Sequence, residues 1–282
     1  MPVAVVTDST ACLPADAVER HSVWVVPMPV TVNGVPGREG VDVTSTDVAA
    51  ALRERRVDVS TSRPAPAELG ALYEELLSSG ASGVVSVHLS AELSGTCEGA
   101  RQAAGEFGDR VEVVDSRNAG MGVGFAALEA ARAARRGAGV VRSAEAARHC
   151  VLGTRTFFYV DTLEFLRRGG RISAASALLG TALSVKPILH VDDGQVVVRD
   201  RVRTATRALG RLEDLVLAAG GEGDVDVAVH HLRSPESAAR LAARLGERFG
   251  GRLRRVYTSE VGAVIAAHCG PGLLGAVVRR HM

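Results

Sequence analysis

The sequence predicts a two-domain α/β protein. A mainly parallel sheet is expected in an N-terminal domain over residues 1–153 and a mixed α/β domain over residues 154–282, with a ligand pocket near their junction. Three observations lead there. Strand-like and helix-like segments alternate almost from end to end, the pattern of parallel βα units. Polar clusters at Thr7–Thr10, Ser60–Pro64, His88–Thr96 and Asp115–Arg117 read as loops after strand ends, where an open parallel sheet gathers its ligands. In the second half, Asp192-Asp193-Gly194 joins two extended runs and reads as an antiparallel hairpin.

Composition narrows the class. The 282 residues are 46% hydrophobic and 23% charged, which suits a folded protein rather than a disordered one. A formal net charge of +1 gives no basic excess for nucleic acid or an anionic membrane. No run of about 18 uninterrupted apolar residues is present, so no membrane insertion is expected. The chain opens on a strand-like run at Val3–Val6 rather than on a signal peptide, and Cys12, Cys97, Cys150 and Cys269 lie far apart without a C-x-x-C pair. A cytoplasmic protein with free buried thiols and no zinc site is the expectation. Lys186 is the single lysine among 33 basic residues.

The elements follow in order. Val3–Val6 reads as a buried strand, with a short helix beginning near Pro14. Val23–Val32 reads as one strand interrupted by Pro27 and Pro29 and closed by an Asn33-Gly34 turn. Thr44 to Asp47 offers caps for a helix over 48–56. Ser60–Pro66 reads as a loop, since its prolines exclude a helix before them. Helices are expected over 67–79, from Ser94-Gly95-Thr96 to about Phe107, over 121–136, and from a Ser143 cap to Leu152. Between them, 83–87 and 111–114 read as strands. The second half opens with a strand at 157–160 and a helix at 163–168, stopped by Gly169-Gly170. A small-residue helix is expected over 174–184, then the 185–191 and 195–202 hairpin, a helix over 205–219 and a strand over 225–232. A helix is signalled by Ser234-Pro235. Closing strands are expected at 252–258 and 273–278, around a loop holding His268.

Several catalytic patterns fail. There is no Walker A loop and no G-x-S-x-G elbow. Gly122 to Ala127 fits a loose G-x-G-x-x-A pattern, but the preceding strand ends too early to bring those glycines onto a pyrophosphate, and helix packing explains them better. His230 and His231 sit on one strand, where alternation sends the rings to opposite faces.

Candidate anion sites each have a bland counterpart. Ser94, Gly95 and Thr96 place hydroxyls and backbone N–H groups at a helix start, which suits either a carboxylate or a simple N-cap. Thr61 and Ser62 carry the same two readings. Arg167, Arg168 and Arg171 flank Gly169-Gly170, either as an anion site or as a solvated helix end. Lys186 and Arg203 lie nearby in sequence terms, and His268 precedes a Gly-Pro-Gly turn that fixes its backbone.

Seven patterns in order, TDSTACLP (7–14), TSRPAPAEL (61–69), HLSAELSGT (88–96), DSRNAGMGVG (115–124), TLEFLRRGGRIS (162–173), KPIL–DG–VRT (186–204) and HCGPGLLG (268–275), resemble the DegV family of bacterial fatty-acid-binding proteins. The resemblance implies that the two domains form one unit holding a long-chain fatty acid in an apolar tunnel, with no further cofactor. It implies carboxylate contacts from Thr61 and Ser94, with His268 beside them and Ser62, Gly95 and Thr96 as secondary candidates at the mouth. It also implies a partner, the catalytic subunit of a fatty-acid kinase, which phosphorylates the bound carboxylate and docks on Arg171 and Arg203. The chain departs from the family's usual residues at Glu39, Arg63, Ala65 and Cys97. The competing chemistry is a small-molecule hydrolase or transferase using Ser94 with His268.

Overall fold

The computed structural model describes residues 2–54, 58–172 and 185–281. Its first sheet is fully parallel, in the order β2 (Val23–Val26), β1 (Ala4–Asp8), β6 (Val84–His88), β7 (Val111–Asp115). The two central strands are buried almost throughout, as expected where helices cover both faces of a parallel sheet. On one face, α3 (Pro66–Ser78) and α4 (Thr96–Ala104) bury Leu69, Tyr73, Leu76, Ala100 and Ala103 against Val6, Val26 and Val84. On the other lie α5 (Met121–Arg135) and α6 (Val140–Leu152).

The second sheet has six strands in the order β10 (Gln195–Val202), β9 (Lys186–Asp192), β8 (Thr154–Tyr159), β13 (Leu274–Arg280), β11 (Val225–His231), β12 (Leu253–Glu260). Only the β11–β12 pair is parallel, so the sheet is mixed. Helices α8 (Ala205–Gly220) and α9 (Pro235–Phe249) cover its outer face. Its inner face packs on α5, which is shared by both sheets. Twelve of the fifteen residues of α5 are buried, and that double burial explains its glycines and alanines. Gly122 and Gly124 leave room for Asn118, Met121 and the Ala11 carbonyl, so the loose dinucleotide pattern is a packing feature. Deep under α5, Arg279 of β13 reaches Glu129 of α5 at 2.9 Å and Asp226 of β11 at 3.1 Å.

Several local expectations change. The run 23–32 is two strands, because the chain leaves the parallel sheet at Pro27 and enters a second, antiparallel sheet. That small sheet runs β4 (Val35–Arg38), β3 (Pro29–Val32), β5 (Val59–Thr61). The Ser60–Pro64 cluster therefore begins inside a strand, not after a parallel one. The first short helix, α1, spans Ala15–His21, and α2 spans Ser45–Ala51 behind a Thr44–Asp47 capping box, three residues earlier than the apolar run suggested. Helix α6 starts after Gly139, leaving Ser143 buried in its first turn rather than capping it. Helix α4 stops at Ala104, short of Phe107. His268 is not in a loop: it belongs to the last turn of a further helix, α10 (Ala263–Cys269). The short α7 (Glu164–Arg168) ends at Gly169 as read. The helix expected over 174–184 lies outside the described residues.

Candidate functional site

A cavity of about 190 Å³ lies where the two larger sheets, the small sheet and α10 meet. A packing void holding one water needs only about 10–15 Å³, so this space can take a group much larger than water. Leu89, Phe158, Leu166, Val191, Val196, Val261, Val264, Ile265 and Leu273 make its walls apolar. Thr61, Ser62, Arg63, Ser94, Gly95, Arg171 and His268 supply the polar and charged surface at one end.

The loops at this end are held from beneath by a buried hydrogen-bond chain. Asp8 accepts the backbone N–H of Leu89 at 3.1 Å and of Thr10 at 3.1 Å, and faces Nδ1 of His88 at 2.9 Å. Nε2 of His88 is 2.8 Å from the Ser86 hydroxyl, which accepts from Tyr73 at 2.8 Å. A consistent direction runs Tyr73 to Ser86 to His88 to Asp8, with every group satisfied. The residue types are those of a hydrolytic triad. Here the Ser86 hydroxyl is fully buried and already engaged, so the chain ties β1 to β6 and fixes the loops carrying Thr10 and Leu89–Ser94.

At the polar end, Thr61 Oγ1 lies 2.9 Å from Nε2 of His268. Burial, with the nearby Arg171 cation, pushes the His268 imidazolium down to about 4, so the ring is neutral near pH 7. Its Nδ1 is buried without a partner among the described residues. An N–H there would be stranded, so the proton belongs on Nε2, which donates to Thr61. The Thr61 O–H is then left to point at a ligand. Ser94 Oγ accepts from the Thr96 backbone at 3.3 Å and lies 2.9 Å from the Thr96 hydroxyl. The single Thr96 hydroxyl proton can go to Met28 Sδ at 3.8 Å or to Ser94; given to Ser94, it leaves the Ser94 O–H available to a ligand.

Of the residues singled out in the sequence, Thr61, Ser62, Ser94, Gly95 and His268 share this cavity. Thr96 is buried behind Ser94 and does not line it. Arg171, expected on a docking face, is half-buried in the cavity wall. Its Nε donates to the Leu93 carbonyl at 3.0 Å and its Nη1 to Gly169 at 2.6 Å. Arg203 is exposed at the end of β10, away from the cavity. Arg63, which spacing did not single out as a contact, reaches over Gly95 with Nη1 3.4 Å from its carbonyl. Gly169 signals the closeness of Arg171 and His268, since a Cβ there would collide with Nδ1 of His268.

The geometry gives little support to hydrolysis. His268 bonds Thr61 and not Ser94, and Ser94 is engaged with Thr96. Among the described residues no carboxylate orients the ring through Nδ1, whereas a nucleophile and base need that relay. His230, also in the cavity wall, is likewise engaged: Nε2 accepts from the Met121 backbone at 2.9 Å and Nδ1 faces Ser259 at 3.1 Å. His231 points the other way, accepting from Ser234 at 3.3 Å.

Comparison with known proteins covers the whole chain. The model of the DegV family, described as uncharacterised proteins, matches residues 2–281. A DegV domain-containing protein of Streptomyces coelicolor is 49% identical, over 98% of each chain. One from Mycobacterium tuberculosis is 43% identical over 99% of this chain and 97% of its own. Among solved structures, a DegV family protein from Thermus thermophilus, described by its fatty-acid binding, superposes with a TM-score of 0.91 at 34% identity, covering 99% of both chains. DegV from Bacillus subtilis, described as a fatty acid binding protein, gives 0.88 at 33%, again over 99% of both.

Proposed function

The chain belongs to the DegV family, and on that premise we propose that it holds one long-chain fatty acid, tail in the apolar cavity and carboxylate at the Thr61–His268 end. The observation that carries this reading is the cavity's asymmetry. Its walls are aliphatic and aromatic, its polar end carries two guanidiniums and three hydroxyls, and among the described residues no Asp or Glu lines it. Each buried methylene contributes roughly 0.8 kcal/mol, so a sixteen-carbon tail supplies about 12 kcal/mol before ordering costs. After association and ordering costs of several kcal/mol, sub-micromolar to nanomolar affinity follows. The tail supplies affinity, and the head-group contacts offset desolvation of the carboxylate.

In this reading the carboxylate accepts from the Thr61 and Ser94 hydroxyls and faces Arg171. His268 orients Thr61 by donating to it from Nε2. Thr61→Val keeps the shape and removes the donor. A charge-assisted bond contributes about 1.5–3 kcal/mol, so Kd for palmitate measured by calorimetry is expected to rise roughly 10- to 100-fold. An unchanged Kd would remove Thr61 from the site. Gly169→Ala should act through His268, because the added methyl and Nδ1 cannot both fit. Overpacking of this kind costs about 1–3 kcal/mol, and affinity is expected to fall about tenfold, with the change confined spectroscopically to the His268 ring.

We further infer that the bound carboxylate is presented to a separate ATP-dependent kinase for conversion to an acyl phosphate, the chain itself acting as a carrier. The family resemblance and the missing Walker loop support this. The two halves, 1–153 and 154–282, are taken as the lobes that close around the acyl chain. Arg203, exposed and outside the cavity, is the docking candidate. Arg203→Ala should slow acyl-phosphate formation by the cognate kinase several-fold with lipid Kd unchanged, and a changed Kd would move Arg203 into the pocket. Arg171 is reassigned to the head-group site because it lines the cavity.

A further inference from the structure

The β9–β10 hairpin carries two of the cavity's wall residues at an end that β8 does not pair. Pairing of β9 with β8 covers Ile188, Leu189 and His190 opposite Tyr159, Phe158 and Phe157, and stops there. The hairpin itself continues, pairing Val191 with Val196 and Asp192 with Gln195 around the Asp193-Gly194 turn. Residues 191–196 therefore have no backbone pairing to β8, which continues to Thr154 paired with β13 alone, yet Val191 and Val196 are buried in the cavity wall.

The side-chain polar contacts that hold this tip down come from the other half of the chain, and they are exposed. Arg117, just after β7, pairs with the Asp193 carboxylate and carbonyl, and Asp193 is 91% exposed at its side chain. Gln195 donates to Glu92 at 3.1 Å, also at the surface. Gly194 sits against Ser90 so closely that a Cβ would meet its hydroxyl. Arg117 adopts left-handed backbone at φ 47°, uncommon for a non-glycine residue, whereas the same φ at Asp193 is the ordinary conformation of an Asp-Gly hairpin turn. Exposed ion pairs contribute little. An apolar flap is thus closed over the ligand space by its own packing and by polar contacts that water can replace, where β8 gives it no backbone pairing.

We propose that the tip of this hairpin, residues 191–196, is the gate through which the acyl chain enters and leaves, with Arg117–Asp193 and Glu92–Gln195 as its latch. The inference rests on the fatty-acid reading of the cavity. Opening swings Val191 and Val196 out of the wall and leaves the Thr61–His268 end untouched. Because the latch closes the same way over an empty or a filled cavity, weakening it should accelerate entry and exit together.

The test is the binding kinetics of cis-parinaric acid, a fluorescent eighteen-carbon carboxylate, by stopped flow. Arg117→Ala is expected to raise the association and dissociation rate constants alike, by about 3- to 10-fold, with Kd within a factor of two of wild type. A purely structural role would raise dissociation alone, and that result, or unchanged rates, overturns the gate. Joining the tip to its seat with Ser90→Cys and Gly194→Cys should slow exchange more than tenfold when oxidised and restore it on reduction. Wild-type exchange with the disulfide formed, as shown by thiol counting, also overturns it. Failure of the wild-type protein to bind parinaric acid would instead overturn the fatty-acid reading, and the gate with it.

Discussion

Arg279→Ala is expected to lower the unfolding free energy by about 3–5 kcal/mol, the range for removing one partner from a buried ion pair. The side chain is 9% exposed and lies between Asp226 and Glu129, whose side chains are 2% and 15% exposed. Burial opposes ionisation of Glu129, but the Arg279 and Arg132 guanidiniums outweigh it and hold its carboxyl below the ordinary value. Without Arg279 the ion-pair partners left to the two carboxylates among the described residues are Arg132 and His281. The loss should appear as a lower urea midpoint at unchanged slope. Arg148→Ala, which breaks the exposed Arg148–Glu112 pair, is the control and should cost under about 1 kcal/mol. Similar losses in the two variants would show that the network under α5 does not hold the two sheets together.

Acidification should produce the second large effect. Burial pushes the His230 imidazolium from 6.5 down to about 4, and burial with the Arg171 charge does the same to His268. Folding therefore favours the neutral rings. Their contribution is fully present above pH 6.5 and is lost as pH falls from 6.5 towards 4. At 1.36 kcal/mol per unit, each accounts for at most about 3 kcal/mol. Glu39 acts in the opposite sense. Burial raises its carboxyl, against the hydrogen bonds from Ser9 and the Val264 backbone, so its share of stability grows on acidification and offsets part of the loss. Unfolding free energy measured across pH should be flat from 8 to 7 and fall steeply between 6.5 and 4. A flat profile down to pH 4.5 would mean that neither ring is buried neutral.

The parallel sheet was legible because β1, β6 and β7 are apolar runs closed by polar clusters, and the hairpin because Asp193-Gly194 marks its turn. Helix α10 was not. Its sequence, AVIAAHC, is nearly all apolar and small, so it shows no polar face with a 3.6-residue period, and the Gly-Pro-Gly beyond it looks like loop. Strand β5 has three residues, too few to alternate visibly, and its neighbour β3 comes from the far side of a proline. Thr61, Ser94 and His268 were found through the resemblance. Sequence spacing alone read Thr61 and Ser94 either as helix caps or as anion contacts and could not bring His268, 207 positions away, to Thr61. The place of Arg171 in the cavity wall was not legible for a physical reason: a guanidinium on a flexible stem beside two glycines suits solvent as well as a fold-back onto Leu93 and Gly169. Only the three-dimensional path of 163–171 distinguishes them.

Native mass spectrometry of the protein, as purified and after incubation with palmitate or its methyl ester, tests the central claim most directly. One fatty acid per chain is expected, copurified or taken up from palmitate, with the methyl ester at least tenfold less retained because it carries no charge for Arg171, Thr61 and Ser94 to meet. Equal retention of ester and acid, or no 1:1 adduct in either sample, would contradict a cavity built to hold an acyl chain by its carboxylate.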